Sequence, residues 1–393
     1  MSKHGFKVID SDMHVVEPGD LWERYLPAPY RDRAPRGGAN MPRDISLSFA
    51  HRYGNRKLSL TWWPALEKHM GPRNAAYAFA EAGKWDGRTQ LQAMDAEGID
   101  VAVLYPSRGL FVMGLDHIDR DPEGLEPDFA AAIARAYNDW LADMCKTDPT
   151  RLKAAAMVAP HDVSAAVEEV RRCVTQMDFR GIFLLPGRIN GRHWHDPYYD
   201  PLWRECERLG VPATFHGGGA DPLEPDFGFG LRNMFQWHTF SHCLGPMYAL
   251  NCFLGGGVFD RFPNLRAAFL EANCSWAPWM IHRMHDQYED YIGQYEIALE
   301  RDPREYFLDN CWVAIEADEH PAKYYVQEFG NDNIVFSTDY PHPDSKFPHA
   351  LDKFLQVDLS DETRRKILWD NCARLFGLEQ DAAKAIPGGA RHA

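Results

Sequence analysis

The sequence predicts an α/β chain folded as a (β/α)8 TIM barrel, and three observations carry that prediction. Eight short β-branched or aliphatic runs recur along 393 residues, helical periodicity separates most of them, and no G-x-G-x-x-G follows the first run. The missing glycine motif argues against a doubly wound open sheet. Alternating strands and helices imply parallel strands with right-handed crossovers, for which a closed eight-stranded barrel is the economical architecture.

In chain order the strands are expected at 6–12, 100–105, 153–158, 181–186, 212–217, 266–271, 311–316 and 334–339. Helical patterns lie at 88–97, 127–147, 163–177, 199–209, 231–254, 275–293 and 321–329, and 346–356 and 360–376 read as closing helices. The first crossover is too long for a simple βα unit. Its insertion, 18–88, is rich in Pro, Arg and aromatics, including His51-Arg52-Tyr53 and Trp62-Trp63-Pro64, and reads as a lid, a binding loop or an oligomer contact. One domain, 1–380, is expected, followed by a flexible tail, 381–393, that contains Pro387-Gly388-Gly389.

The composition is 45% hydrophobic and 25% charged, with a net charge of −15. Such an excess of acid argues against nucleic acid or anionic membrane as a partner. The segment from Met1 to Lys7 is short and polar, and no apolar run approaches the ~18 residues of a membrane span, so a cytoplasmic protein is expected. The eight cysteines show no C-x-x-C spacing and read as small packing residues in a reducing compartment. The expected partners are a small-molecule substrate and either further copies of the chain or a related subunit.

In a barrel of this kind chemistry sits at the C-terminal ends of the strands. Strand one ends in Asp12 and His14, whose i, i+2 spacing puts both side chains on one face. Strand five ends in His216, strand six in Glu271 and strand eight in Asp339. Nitrogen and carboxylate ligands converging in this way suit Zn, Mn or Fe rather than Ca or Mg. An Asp after Ser-Thr equally suits a turn or helix cap, so Asp339 alone is ambiguous. His216 is followed by Gly217-Gly218-Gly219, and glycines permit close backbone approach to whatever the imidazole touches. His238 and His242 stand at i, i+4 on one helix face, a spacing that recurs in metal sites; a backbone hydrogen bond for one and a surface position for the other is the alternative. Substrate contacts are sought in Tyr105, Arg108, Trp237, Tyr340 and His342, and in Arg52, Arg56, Trp62 and Trp63 of the insertion, although each aromatic equally suits a core or an interface.

Several segments together resemble the amidohydrolase superfamily, in particular the amidohydrolase-related group that includes aminocarboxymuconate semialdehyde decarboxylase. They are Ile9-Asp10-Ser11-Asp12-Met13-His14-Val15-Val16-Glu17-Pro18, Thr214-Phe215-His216-Gly217, Phe259-Asp260-Arg261-Phe262-Pro263-Asn264-Leu265-Arg266, Phe336-Ser337-Thr338-Asp339-Tyr340-Pro341-His342 and Asp370-Asn371-Cys372-Ala373-Arg374-Leu375-Phe376. The resemblance implies metal ligation by His14, His216 and Asp339, with Asp12 in the place of the first histidine of the family's His-x-His. That exchange resembles the Glu-x-His of some aromatic acid decarboxylases. On strand six, where those decarboxylases typically carry a histidine, this chain has Glu271.

The expected function is a metal-dependent hydrolase in which a bound ion lowers the pKa of a water toward ~7. Asp339 would orient or deprotonate that water, and Glu271 or His238 would shuttle the proton to the leaving group. One divalent ion, Zn, Mn or Fe, is expected; the surplus of Asp12, His14, His216, His238, His242, Glu271 and Asp339 leaves room for two. Non-oxidative decarboxylation of an aromatic or unsaturated acid is the runner-up. A dinuclear oxygenase or thioesterase and an inactive structural subunit are the remaining alternatives.

Overall fold

The computed structural model describes residues 3–37, 47–51, 54–58, 74–110, 112–114, 125–217, 234–292 and 299–379. Its centre is an eight-stranded parallel sheet made of β1 (Ile9–His14), β2 (Val101–Tyr105), β3 (Leu152–Met157), β4 (Gly181–Leu184), β5 (Ala213–His216), β6 (Ala267–Leu270), β7 (Cys311–Ile315) and β8 (Ile334–Phe336). Each strand pairs with the next in sequence, in the order a (β/α)8 barrel requires. The crossovers carry α1 (Gly87–Glu97), α2 (Pro127–Cys145), α3 (Val163–Met177), α4 (Asp200–Leu209), α5 (Met234–Gly255), α6 (Ala277–Tyr291) and α7 (Ala322–Phe329).

Local chemistry sets several of these boundaries. The Asp86 carboxylate accepts from the backbone N–H groups of Arg88 and Thr89 at the start of α1, and Gly98 closes that helix with φ 91°. Asp162 caps α3 in the same way, through Ser164 and Ala165. Each such cap is worth about 1 kcal/mol and defines where a βα turn ends. Behind β5, Phe215 packs edge-on to Trp194 and Phe253 and stacks on Phe269 of β6 at 5.8 Å. That aromatic packing fixes the strand whose last residue is His216.

The ring closes between its first and last strands without a ladder among the described residues. Instead Ser11 Oγ donates to the Phe336 carbonyl at 2.8 Å, and the Asp10 carboxylate accepts from the Thr338 backbone N–H at 3.2 Å and from the Thr338 hydroxyl. Beyond the strands, the Asp339 N–H donates to the Asp12 carbonyl at 3.2 Å and the His14 N–H to the Tyr340 carbonyl at 2.6 Å. β1 shifts register against β2 between Asp10 and Met13, a bulge of the kind that re-aims side chains next to a site.

The main departures from sequence expectation are short elements. β8 stops at Phe336, so Asp339 stands on the loop beyond the strand rather than at its last residue. The insertion holds a three-stranded antiparallel sheet of Arg36–Gly37, Leu47–His51 and Gly54–Leu58, where no strand was expected. Helices Leu21–Tyr25 and Pro303–Asn310 were also not anticipated. The closing helix expected at 360–376 is interrupted by a π-helical turn, Lys366–Asp370. No described helix is long and apolar enough to cross a membrane. The tail 381–393, Gly218 and Gly219, and Arg52, Tyr53, Trp62 and Trp63 lie outside the described residues, as do the side chains of Arg56 and Trp237.

Candidate metal centre

β1 and β5 deliver two fully buried imidazoles to one point. His14 Nδ1 donates to the Pro106 carbonyl at 2.8 Å, and His216 Nδ1 donates to the Gly217 carbonyl at 2.7 Å. A carbonyl oxygen only accepts, so each ring carries a proton on Nδ1 and turns inward its Nε2, unprotonated whenever the ring is neutral, and the two Nε2 atoms stand 2.9 Å apart. Around them Asp12 places Oδ1 3.3 Å from His14 Nε2 and Oδ2 3.4 Å from His216 Nε2, while Asp339 Oδ1 lies 3.3 Å from His14 Nε2.

Two lone pairs and two carboxylates facing one point repel unless a cation lies among them. Metal bonds near 2.1 Å at tetrahedral to octahedral angles place neighbouring ligand atoms about 3.0–3.4 Å apart, whereas charge-assisted hydrogen bonds run at about 2.7–2.9 Å. The carboxylate–imidazole separations match the first range. Both Asp12 oxygens are buried with no hydrogen-bond partner. The residues therefore fit a divalent ion, and the N2O2 donor set belongs to the Mn, Fe and Zn class.

The remaining predicted residues take distinct places. Glu271 (φ 47°) and Asp339 (φ 54°) both occupy the left-handed backbone region, which costs a non-glycine residue about 1–2 kcal/mol. Strain of this kind gathers at functional sites. Glu271 Oε2 lies 3.3 Å from His216 Nδ1 and 3.5 Å from His242 Nε2, and its Oε1 lies 3.6 Å from His342 Nδ1. Gly217 allows this approach, because a Cβ there would stand 2.7 Å from the Glu271 carbonyl and 3.2 Å from the His242 ring. His342 stacks on His14 at 3.8 Å, with Nδ1 2.8 Å from Asp339 Oδ1 and Nε2 3.0 Å from Ser107 Oγ. His238 is partly exposed, 3.3 Å from Asp344 Oδ2.

Three substrate candidates sit deeper or further away. Tyr105 is buried beneath the centre, its ring stacked on His216 and its hydroxyl donating to Thr214 Oγ1 at 3.1 Å. Arg108 places its guanidinium against Gly19 and Gly37 in the insertion, and its backbone N–H donates to Glu17. Tyr340 is buried in a cluster with Tyr77, Trp85 and Phe347.

Electrostatics follow from this crowding. Burial alone would raise Asp12, yet the His216 and His14 imidazoles bring it down to about 2. Burial and the neighbouring His342 push His14 down to about 4. Burial opposes protonation of His216, but Asp12 and Glu271 outweigh it and raise the ring to about 9. Asp339 is held well above the ordinary carboxylate range by burial and by the charges of Glu271, Asp344 and Asp12. Sequence reasoning missed Asp10, Thr338, Ser107 and Asp344. The same-face repeat Asp10-x-Asp12 and an acid two residues past His342 were the available signals.

Comparison with known proteins bears on the family and the fold. A family model described as "Amidohydrolase" matches residues 9–378. The 2-amino-3-carboxymuconate-6-semialdehyde decarboxylase of Dictyostelium discoideum is 25% identical over 330 residues, covering 81% of this chain and 85% of that protein. The gamma-resorcylate decarboxylase of Rhodococcus jostii (strain RHA1) is 29% identical over 348 residues, covering 80% and 98%. Among solved structures, 5-carboxyvanillate decarboxylase from Novosphingobium aromaticivorans, with bound manganese and 3-methoxy-4-hydroxy-5-nitrobenzoic acid, aligns with TM-score 0.67 at 20% identity, covering 95% of this chain and 98% of that one.

Proposed function

The chain belongs to the amidohydrolase family, and from that premise we propose that it is a metal-dependent lyase removing carbon dioxide from a small aromatic or unsaturated carboxylic acid. The observation that carries this reading is Asp339, whose Oδ1 lies 3.3 Å from His14 Nε2 and 2.8 Å from His342 Nδ1 and whose affinity for a proton is raised by burial and three neighbouring acids. The relatives' decarboxylase activities, and the manganese and nitrobenzoate held by the aligned structure, support it.

Asp12, His14, His216 and Asp339 would hold the ion. When bound, the ion supplies positive charge for the substrate carboxylate and a neighbouring oxygen. Asp339 delivers its proton to the carbon that bears the carboxylate, the C–C bond breaks, its electron pair returns to the unsaturated system and CO2 leaves. The products are the protonated carbon, CO2 and the Asp339 carboxylate, so atoms and charge balance. His342, 2.8 Å from Asp339 Oδ1, returns the proton along its contact with Ser107.

Hydrolysis is the second reading, and Glu271 favours it. In place of an imidazole this position presents a carboxylate held well below its ordinary range, against burial, by His242 and His216, an acceptor suited to orienting a water by hydrogen bonding. Incubation of the manganese-loaded protein with a panel of hydroxybenzoic acids and their esters and amides separates the two. Release of CO2 with matching loss of mass from the acid is expected; turnover only of the esters or amides, with addition of water, would replace the lyase reading with the hydrolase.

A further inference from the structure

Beside the first ligand set lies a second one built on a different element. His238 and His242, one turn apart on α5, stack at 3.6 Å with an interplanar angle of 14°, so the two rings present parallel edges. Ligand atoms of His238, His242 and Glu271 all lie within 4.8 Å of one another. Within the set His242 Nε2 lies 3.5 Å from Glu271 Oε2, and outside it His238 Nε2 lies 3.3 Å from Asp344 Oδ2. The first separation is long for a charge-assisted hydrogen bond and close to the about 3.0–3.4 Å between ligands that share an ion. Glu271 is 6% exposed, and its Oε2, aimed between His216 and His242, has no hydrogen-bond partner.

We propose that His238, His242 and Glu271 form a second divalent-cation site adjoining the first, with Glu271 Oε2 3.3 Å from Nδ1 of His216 and Asp344 supporting His238 from outside. Charge balance points the same way. Besides Asp339, the proton donor, Asp12, Glu271 and Asp344 bring three carboxylates to one barrel mouth, more negative charge than one divalent ion neutralises. Two imidazoles and a carboxylate again select a Mn, Fe or Zn type of cation over Ca or Mg. The helix supplies what the strands cannot, a pair of nitrogens at the open side of the mouth, while Glu271, one residue past β6, reaches across. The proposal deepens the reading of the barrel mouth as a metal centre and does not depend on whether CO2 or water is the chemical outcome.

The test is metal content by elemental analysis of the full chain saturated with Mn(II) and desalted, together with anomalous scattering from crystals of the same material. Two ions per chain are expected, with peaks between His14 and His216 and between His242 and Glu271. A His238→Ala, His242→Ala double variant should retain about one, at the first position, with an unchanged circular dichroism spectrum. Should that variant misfold, Asp344→Asn serves, with weakened occupancy of the second peak alone. Saturation of the wild type at one ion located between His14 and His216, or two ions persisting in the double variant, overturns the proposal. A single ion at His242 and Glu271 would instead overturn the reading of the first centre and leave this one standing.

Discussion

Two buried histidines on the same rim of the barrel make an instructive pair. His14 ends β1, and His161 follows β3 by a few residues; burial pushes both down to about 4. His14 faces Asp12, His216 and Asp339 through its Nε2. His161 is 7% exposed, and neither of its ring nitrogens has a hydrogen-bond partner. A perturbed imidazole is thus made by desolvation alone, whereas a centre needs several donors aimed at one point.

Substitution of Asp339 should separate the two sides of the rim most widely. Asp339→Asn keeps the shape and the left-handed backbone, which asparagine tolerates, but removes the proton carrier and a ligand charge. Turnover should fall by roughly a thousandfold or more while circular dichroism stays native. Retained turnover would mean that convergence on this point is not what matters. Glu271→Gln should act less strongly, lowering turnover or metal affinity by about 10–100-fold, the range for groups that support a metal site. A variant indistinguishable from wild type in both measures would take Glu271 out of the site.

His161→Leu should leave turnover within about twofold and change only the acid side of stability. The ring's folded pKa is depressed from 6.5 to about 4, so as pH falls through that window the unfolded chain takes up a proton that the folded one refuses. Stability is lost in that direction, on the order of 3 kcal/mol across the window. Denaturant unfolding at pH 7 and near pH 4.5 should show a smaller acid loss in the variant than in the wild type. An equal loss would mean that the ring is satisfied by something besides protein.

Much of this arrangement is legible in the residues. The apolar runs place all eight strands to within a few positions because strand identity is set by local composition, and Asp12, His14, His216 and Glu271 follow from asking what stands at each strand end. Arg108 could not be placed that way. It lies only three residues past β2, but the Glu17 carboxylate takes the backbone N–H groups of Arg108 and Gly109, and its guanidinium lies against the insertion. The role of Asp10 was equally hidden, since its partner Thr338 lies 328 residues away and no local pattern encodes that pairing. Helix Leu21–Tyr25 is five residues long, too short for a periodic signal to rise above chance.

The seam between β8 and β1 also has a consequence for how the chain folds. The Asp10–Thr338 pair joins positions 328 residues apart, so closing the ring there gives up loop entropy of about 5 kcal/mol in the unstructured chain. Contacts between neighbouring strands are far more local and form first on entropic grounds. The proposed ligands Asp12 and His14 stand on one side of this last joint and Asp339 on the other. An ion gripped by all three therefore acts as a clasp on a nearly finished ring, tying the two ends of the barrel together much as a disulfide would. Refolding with and without Mn(II) should differ chiefly in how slowly the closed ring reopens.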